Sequence, residues 1–244
     1  MRYLCLFILI SGLVSCSEHS ESRHWSYSGE EGPEYWASLN PEFQLCGEGT
    51  AQSPINLSGF VEADLDPLTF NYLNGGHEVI NNGHTIQVNF ESGSSLVVEN
   101  RTFELKQFHF HAPSENMIDG KTFPLEMHLV HADGQGALAV LAVLFETGVQ
   151  NTVLESIWSE MPQAKDEVNE ISPRIRADDL LPNSHEYFRF DGSLTTPPCS
   201  EGVLWLVLAE RVDVSEQQVD SFLKIMGHSN NRPVQSLNGR SVMK

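Results

Sequence analysis

Phe103-Glu104-Leu105-Lys106-Gln107-Phe108-His109-Phe110-His111 alternates with a period of two, as a β-strand does, and ends in two histidines that share a strand face. On a regular strand Phe103, Leu105, Gln107, His109 and His111 point one way, and Glu104, Lys106, Phe108 and Phe110 the other. A second segment, Pro124 to His131, sets Glu126, His128 and Val130 on one face and Leu125, Met127, Leu129 and His131 on the opposite one. Between them, Ala112 to Phe123 carries Pro113 and an Asp119-Gly120 turn, enough to fold the second strand back beside the first. The imidazoles of His109, His111 and His128 then converge. Three neutral imidazoles leave one corner of a tetrahedron open, as a catalytic zinc needs, whereas a structural zinc has all four corners filled by protein. A His-x-His pair alone is more often two satisfied or exposed histidines. The third histidine, with Glu126 two residues before it on the same face, tips the reading to a metal site. His131 falls on the other face and reads as structural.

The chain has 244 residues, 40% of them apolar, which suffices for one sizeable domain with a proper core. Its 14 basic and 33 acidic residues give a formal charge of −19, which argues against nucleic acid and against electrostatic docking on anionic lipid. Arg2 and the apolar run Leu4 to Val14, too short to span a bilayer, read as an export signal. The run ends in Leu13-Val14-Ser15-Cys16, which is similar to the lipobox of bacterial lipoproteins, where the residue matching Cys16 is acylated after cleavage. Ordinary signal-peptidase cleavage nearby is the other reading. Residues 17–22 form a short polar tether and 23–244 the domain, in the bacterial periplasm or cell envelope, with membrane contact only through that lipid. With Cys5 in the signal and Cys16 at its end, Cys46 and Cys199 remain. In an oxidising compartment such a pair bridges, two free buried thiols being the alternative.

Short β-like runs dominate the rest: Thr85 to Phe90, Ser95 to Glu99, Phe103 to His111, Leu125 to His131, Ala137 to Glu146, Tyr187 to Asp191 and Gly202 to Glu210. Ala137 to Phe145 and Val203 to Ala209 are apolar on both faces, as central strands covered on both sides are. Helical pattern is confined to Val153 to Ser159 and Ser215 to Met226, the latter opening with Ser215 as N-cap of a Ser-Glu-Gln-Gln box. The class is mostly β (β-rich α+β).

Ordered motifs now accumulate: His24-Trp25-Ser26-Tyr27, Gly32-Pro33-Glu34-Tyr35-Trp36, Gln52-Ser53-Pro54-Ile55-Asn56-Leu57, Asn81-Asn82-Gly83-His84, Gln107 to His111, Pro113-Ser114-Glu115-Asn116, Glu126 to His131, Gly192 to Pro198, and Asn231-Arg232-Pro233-Val234-Gln235. Across residues 24–244 the chain resembles the α-class carbonic anhydrases, and more closely their bacterial, exported members. The resemblance implies a large, mainly antiparallel twisted central sheet with Zn2+ at the base of a conical cleft, held by His109, His111 and His128. It implies reversible hydration of CO2 to bicarbonate and a proton by zinc-hydroxide attack. Gln107 and Glu126 would then fix the rings of His109 and His128, and Thr195, donating its proton to Glu115, would accept from the hydroxide. Thr196 would contact bicarbonate, and His84 would carry the proton out through water ordered by Tyr27, Asn82 and Gln87. Val130, Val140, Leu194, Val203 and Trp205 match the apolar wall for CO2, although core packing alone also explains each. Ala112-Pro113 and Asn116 depart from the vertebrate pattern without touching a ligand. A non-catalytic carbonic-anhydrase-like binding module is the alternative, and ester hydrolysis a side activity at best.

Overall fold

Apolar and aromatic runs punctuated by Asn-Gly and Asp-Gly turns favour sheet over helix. A computed structural model, which describes residues 24–244, accordingly shows one sheet of eleven strands. Eight form its continuous path: β1 Gly76–Asn81, β2 Ile86–Phe90, β3 Arg101–His111, β4 Leu125–Ala132, β5 Leu138–Thr147, β6 Val168–Ile175, β7 Tyr187–Ser193 and β8 Glu201–Leu208. They lie in the order β6-β1-β2-β3-β4-β5-β8-β7, antiparallel throughout except for the parallel pair β5–β8. Two longer helices pack on one face, α1 Thr152–Trp158 and α2 Glu216–Met226. The expected box at Ser215 and Gln218 opens α2, and Gly227, at φ 74°, closes it in a left-handed turn where a side chain would be strained.

The predicted strands match β2 to β5, β7 and β8 to within a few residues. β1 and β6 were not predicted. β6 is an edge strand, mostly exposed, with an irregular register and Pro173 inside it, so it lacks the alternation that marks a half-buried strand.

β3 departs from its own alternation at the decisive place. Opposite β4 the partners run His111–Glu126, His109–His128 and Gln107–Val130, and then Leu105–His131, so Lys106 is one residue too many, a β-bulge. Phe103 and Leu105 consequently share a buried cluster with Phe108 and Phe110, while Gln107, His109 and His111 face the other way. The expectation that Phe103 and Leu105 lie on the histidine face is thus corrected. A regular strand cannot bury these four apolar residues on one side and keep the histidines on the other.

Each layer has its own core. Leu105, Phe108, Leu129, Leu141 and Leu206 belong to the layer under α1 and α2 with Trp158 and Phe222. Val140, Ala142 and Leu144 of β5 and Val203, Trp205 and Val207 of β8 belong to the opposite one. That is why β5 and β8 are apolar on both faces. Cys46 and Cys199 are bonded, which removes the free-thiol alternative. Cys5 and Cys16, with the signal, lipobox and tether readings, lie outside the described residues. His131 is indeed structural: it is fully buried, its Nε2 is 2.9 Å from the Tyr72 hydroxyl, and burial lowers its pKa to about 4.

Two predictions follow from this packing. Deleting Lys106 removes the extra residue and turns either the apolar pairs or the histidines to the wrong face; it should cost more than about 3 kcal/mol, as exposing a core phenylalanine does. Lys106→Ala keeps the residue count and should stay within about 0.5 kcal/mol. Equal midpoints of the two variants in denaturant would contradict the bulge. For His131, the buried ring stays neutral at pH values where the unfolded chain takes up a proton. Its contribution to stability is therefore complete above pH 6.5 and is lost as pH falls towards 4. Between pH 7 and 4.5, His131→Gln should lose about 2 to 3 kcal/mol less unfolding free energy than the wild type. Parallel pH profiles for the two proteins would contradict this.

Candidate metal centre

Because β3 and β4 are in register beyond the bulge, His109 stands directly opposite His128, and His111 opposite Glu126, on the face away from the helices. One nitrogen from each of His109, His111 and His128 falls within 4.8 Å of the others. His111 and His128 are buried, while His109 is partly open to a small cleft. Burial lowers the pKa of all three, with mutual repulsion adding for His109 and His128. They therefore stand as neutral rings with lone pairs available.

The outward nitrogens decide which lone pairs point inward. Nδ1 of His109 lies 2.8 Å from Oε1 of Gln107, and Nδ1 of His111 lies 2.7 Å from the carbonyl oxygen of Asn230. Carbonyl-type oxygens only accept, so both Nδ1 atoms carry the proton and both Nε2 atoms the lone pair. Nε2 of His128 lies 2.9 Å from Oε1 of Glu126, close but without an aligned hydrogen bond, and this side of the ring leaves Nδ1 as its inward atom. Nε2 of His111 is buried and makes no hydrogen bond, an orphan that a metal ion would satisfy. Three neutral imidazoles with convergent lone pairs suit a borderline-soft divalent ion such as zinc.

Glu126 is fully buried and far from an ordinary strand carboxylate. Its Oε2 accepts from the backbone N–H groups of Glu115 and Asn116 at 2.7 and 2.8 Å, and its Oε1 from the Asn116 amide at 2.7 Å. Burial pushes its pKa up while the Asn116 bonds hold it down. Glu115 is equally buried, and burial pushes its pKa up to about 8 against the Arg232 backbone N–H and the nearby Thr195 hydroxyl. Oε1 accepts from Arg232 N at 2.7 Å. Oε2 makes no aligned hydrogen bond, and it stands 3.6 Å from His111 Nε2 and 3.9 Å from His128 Nδ1. Thr195 is thus close enough to Glu115 to favour the carboxylate, but short of a formed bond.

Sequence reasoning missed Asn230. Besides holding His111, this fully buried residue donates to the carbonyls of His84 and Phe110, and its Oδ1 accepts from Ala112 N. Its neighbours Asn231 and Arg232 belong to a family motif, whereas Asn230 is a polar residue in a segment with neither alternation nor helical period.

The cleft, about 150 Å³, is lined by Tyr27, Asn82, His84, Gln87 and Thr196 together with Gln107, His109 and His111. A larger open groove of about 590 Å³ between residues 62–68 and 185–187 lies away from the triad. Asn82 caps the turn by accepting from His84 N and Thr85 N, and Gln87 donates to Asn89. His84 stacks on Trp25 with centroids 3.8 Å apart. Burial, then His24, Lys165 and His228, lower its pKa to about 4. Val130, Val140, Leu194, Val203 and Trp205 come together in one apolar cluster, and the Trp205 ring meets His128 edge-on at 4.9 Å.

The model of eukaryotic-type carbonic anhydrases matches residues 31–244. A carbonic anhydrase of Pectobacterium atrosepticum is 48% identical over 236 residues, covering 97% of this chain and 96% of its own. One from Neisseria gonorrhoeae is 46% identical over 244 residues, 100% of this chain and 96% of the relative. Among solved structures, the α-carbonic anhydrase from Thermovibrio ammonificans in complex with the inhibitor sulfanilamide gives a TM-score of 0.89 at 48% identity, over 91% of this chain and 99% of that one. Likeness over nearly the full length, in both sequence and fold, agrees with the chemistry of the triad: the chain belongs to the α-class carbonic anhydrases.

Proposed function

We propose that His109 and His111 through Nε2, and His128 through Nδ1, hold the Zn2+ with which this enzyme hydrates CO2 reversibly to bicarbonate and a proton. The observation that carries the assignment is the convergence of three imidazole nitrogens, with the rings of His109 and His111 hydrogen-bonded from behind by Gln107 and the Asn230 carbonyl and that of His128 backed by Glu126 at 2.9 Å. When bound, zinc supplies a Lewis acid that makes water a nucleophile at neutral pH.

The side chains around the triad divide the remaining work. In its carboxylate form, which burial opposes by raising its pKa to about 8, Glu115 accepts a hydrogen bond from the Thr195 hydroxyl, so the Thr195 oxygen can only accept, which orients the attacking oxygen. Thr196, on the cleft wall beside His109 and His111, holds the product. Val130, Val140, Leu194, Val203 and Trp205 give apolar CO2 a surface without polar competitors. Tyr27, Asn82 and Gln87 order water towards His84, the ring to which the exported proton passes, although in its stacked position on Trp25 a pKa of about 4 makes that ring a weak acceptor. The Cys46–Cys199 bridge supports an oxidising compartment. We place the domain, residues 23–244, in the periplasm or cell envelope, after a signal over residues 1–16 and a tether over 17–22, with lipid at Cys16.

His128→Ala should lose zinc and CO2 hydration together, activity falling at least about a hundredfold; a metal-free, fully active variant would refute the site. His84→Ala should keep its zinc and turn over about tenfold or more slowly in weak buffer, with added imidazole restoring the rate. If stopped-flow turnover in weak buffer is unchanged, the proton leaves by another route.

A further inference from the structure

Arg232 is 1% exposed, and its side chain bonds only to neutral oxygens. Nη1 donates to Gln52 Oε1 at 2.9 Å and to the Ser53 carbonyl at 2.7 Å, and Nη2 donates to the Cys46 carbonyl at 2.8 Å. The guanidinium lies 5.7 Å over the Trp36 ring. A buried charge is costly, and an apolar residue of similar volume often serves stability as well. What the guanidinium touches suggests another use.

The backbone N–H of the same residue donates to Glu115 Oε1 at 2.7 Å. On the other side, Gln52 turns its Nε2 to the Cys199 carbonyl at 3.0 Å. The Cys199 N–H closes onto the Thr196 carbonyl at 2.8 Å, and the Leu194 N–H onto the Ser200 carbonyl at 3.0 Å, so the loop carrying Thr195 is fastened to Gln52. One side chain thus joins the segment that holds Glu115 to the segment that holds Thr195.

We propose that Arg232 is a positioning residue for CO2 hydration: its guanidinium, through Gln52 and the Cys46 carbonyl, fixes the spacing between Glu115 and Thr195. This rests on the roles given to those two residues above. Lysine keeps the charge but has no planar fork to span three oxygens at once, so Arg232→Lys loosens the link while leaving the backbone N–H in place.

The test is kcat and KM for CO2 hydration, with zinc content and thermal midpoint on the same samples, for Arg232→Lys in the wild-type and Thr195→Ala backgrounds. Zinc should stay near one per chain and KM unchanged, while kcat falls about tenfold or more. In the Thr195→Ala background the same change should cost less than about twofold, because the spacing no longer matters. If Arg232→Lys does not fold, Gln52→Leu cuts the same link at its other end and should show the same pattern. Equal losses of kcat in both backgrounds, or a lower midpoint with kcat unchanged, overturn the positioning role alone. An unchanged kcat in Thr195→Ala by itself overturns the reading of Thr195, and the positioning role with it.

Discussion

Two demands meet on Arg101–His111. Its apolar residues must cover the helix-side core, and its last residues must present imidazoles to the opposite face. A strand with strict alternation meets one demand or the other, because a one-residue slip exchanges the faces. The extra residue at Lys106 performs that slip inside the strand. Phe103 and Leu105 join Phe108 and Phe110 in the core, and Gln107, His109 and His111 look into the cleft. From there the register with Leu125–Ala132 brings His128 opposite His109 without any further device.

Keeping polar chemistry at such depth requires that every outward-facing atom be answered. Gln107 and the Asn230 carbonyl answer His109 and His111, and Asn116 answers Glu126, so of the three rings only His128 faces a carboxylate. Neutral partners fit the need. A cation beside the triad would compete with a metal ion, and a further anion would raise the already high pKa of Glu115.

The sequence showed most clearly whatever is local. His109, His111, His128 and Glu126 could be aligned because strand periodicity relates residues two apart and one turn relates the two strands. The bulge was invisible, since Lys106 differs in no way from any exposed lysine on an alternating strand. Asn230 and Arg232 were equally hidden as site residues. They lie more than a hundred residues from what they hold, in a segment with neither alternation nor helical period, and their roles depend on chain topology. Resemblance supplied Thr195, Glu115 and His84, and the structure brings His84 to the cleft, Glu115 to the triad and Thr195 beside Glu115.

The triad spans only residues 109–128, within a single antiparallel pair that, with its connecting loop, also supplies Gln107, Glu115, Asn116 and Glu126, whereas further supports come from residues 52, 195–199 and 230–232. Local contacts close early in folding because little loop entropy is lost, while distant ones wait for the whole chain. The three imidazoles, with Gln107, Glu115 and Glu126, are neighbours within one hairpin, whereas Thr195 and the Asn230 carbonyl come from distant segments. Bringing the three rings together and completing the site around them are thus separable: the first needs one hairpin, the second the whole chain.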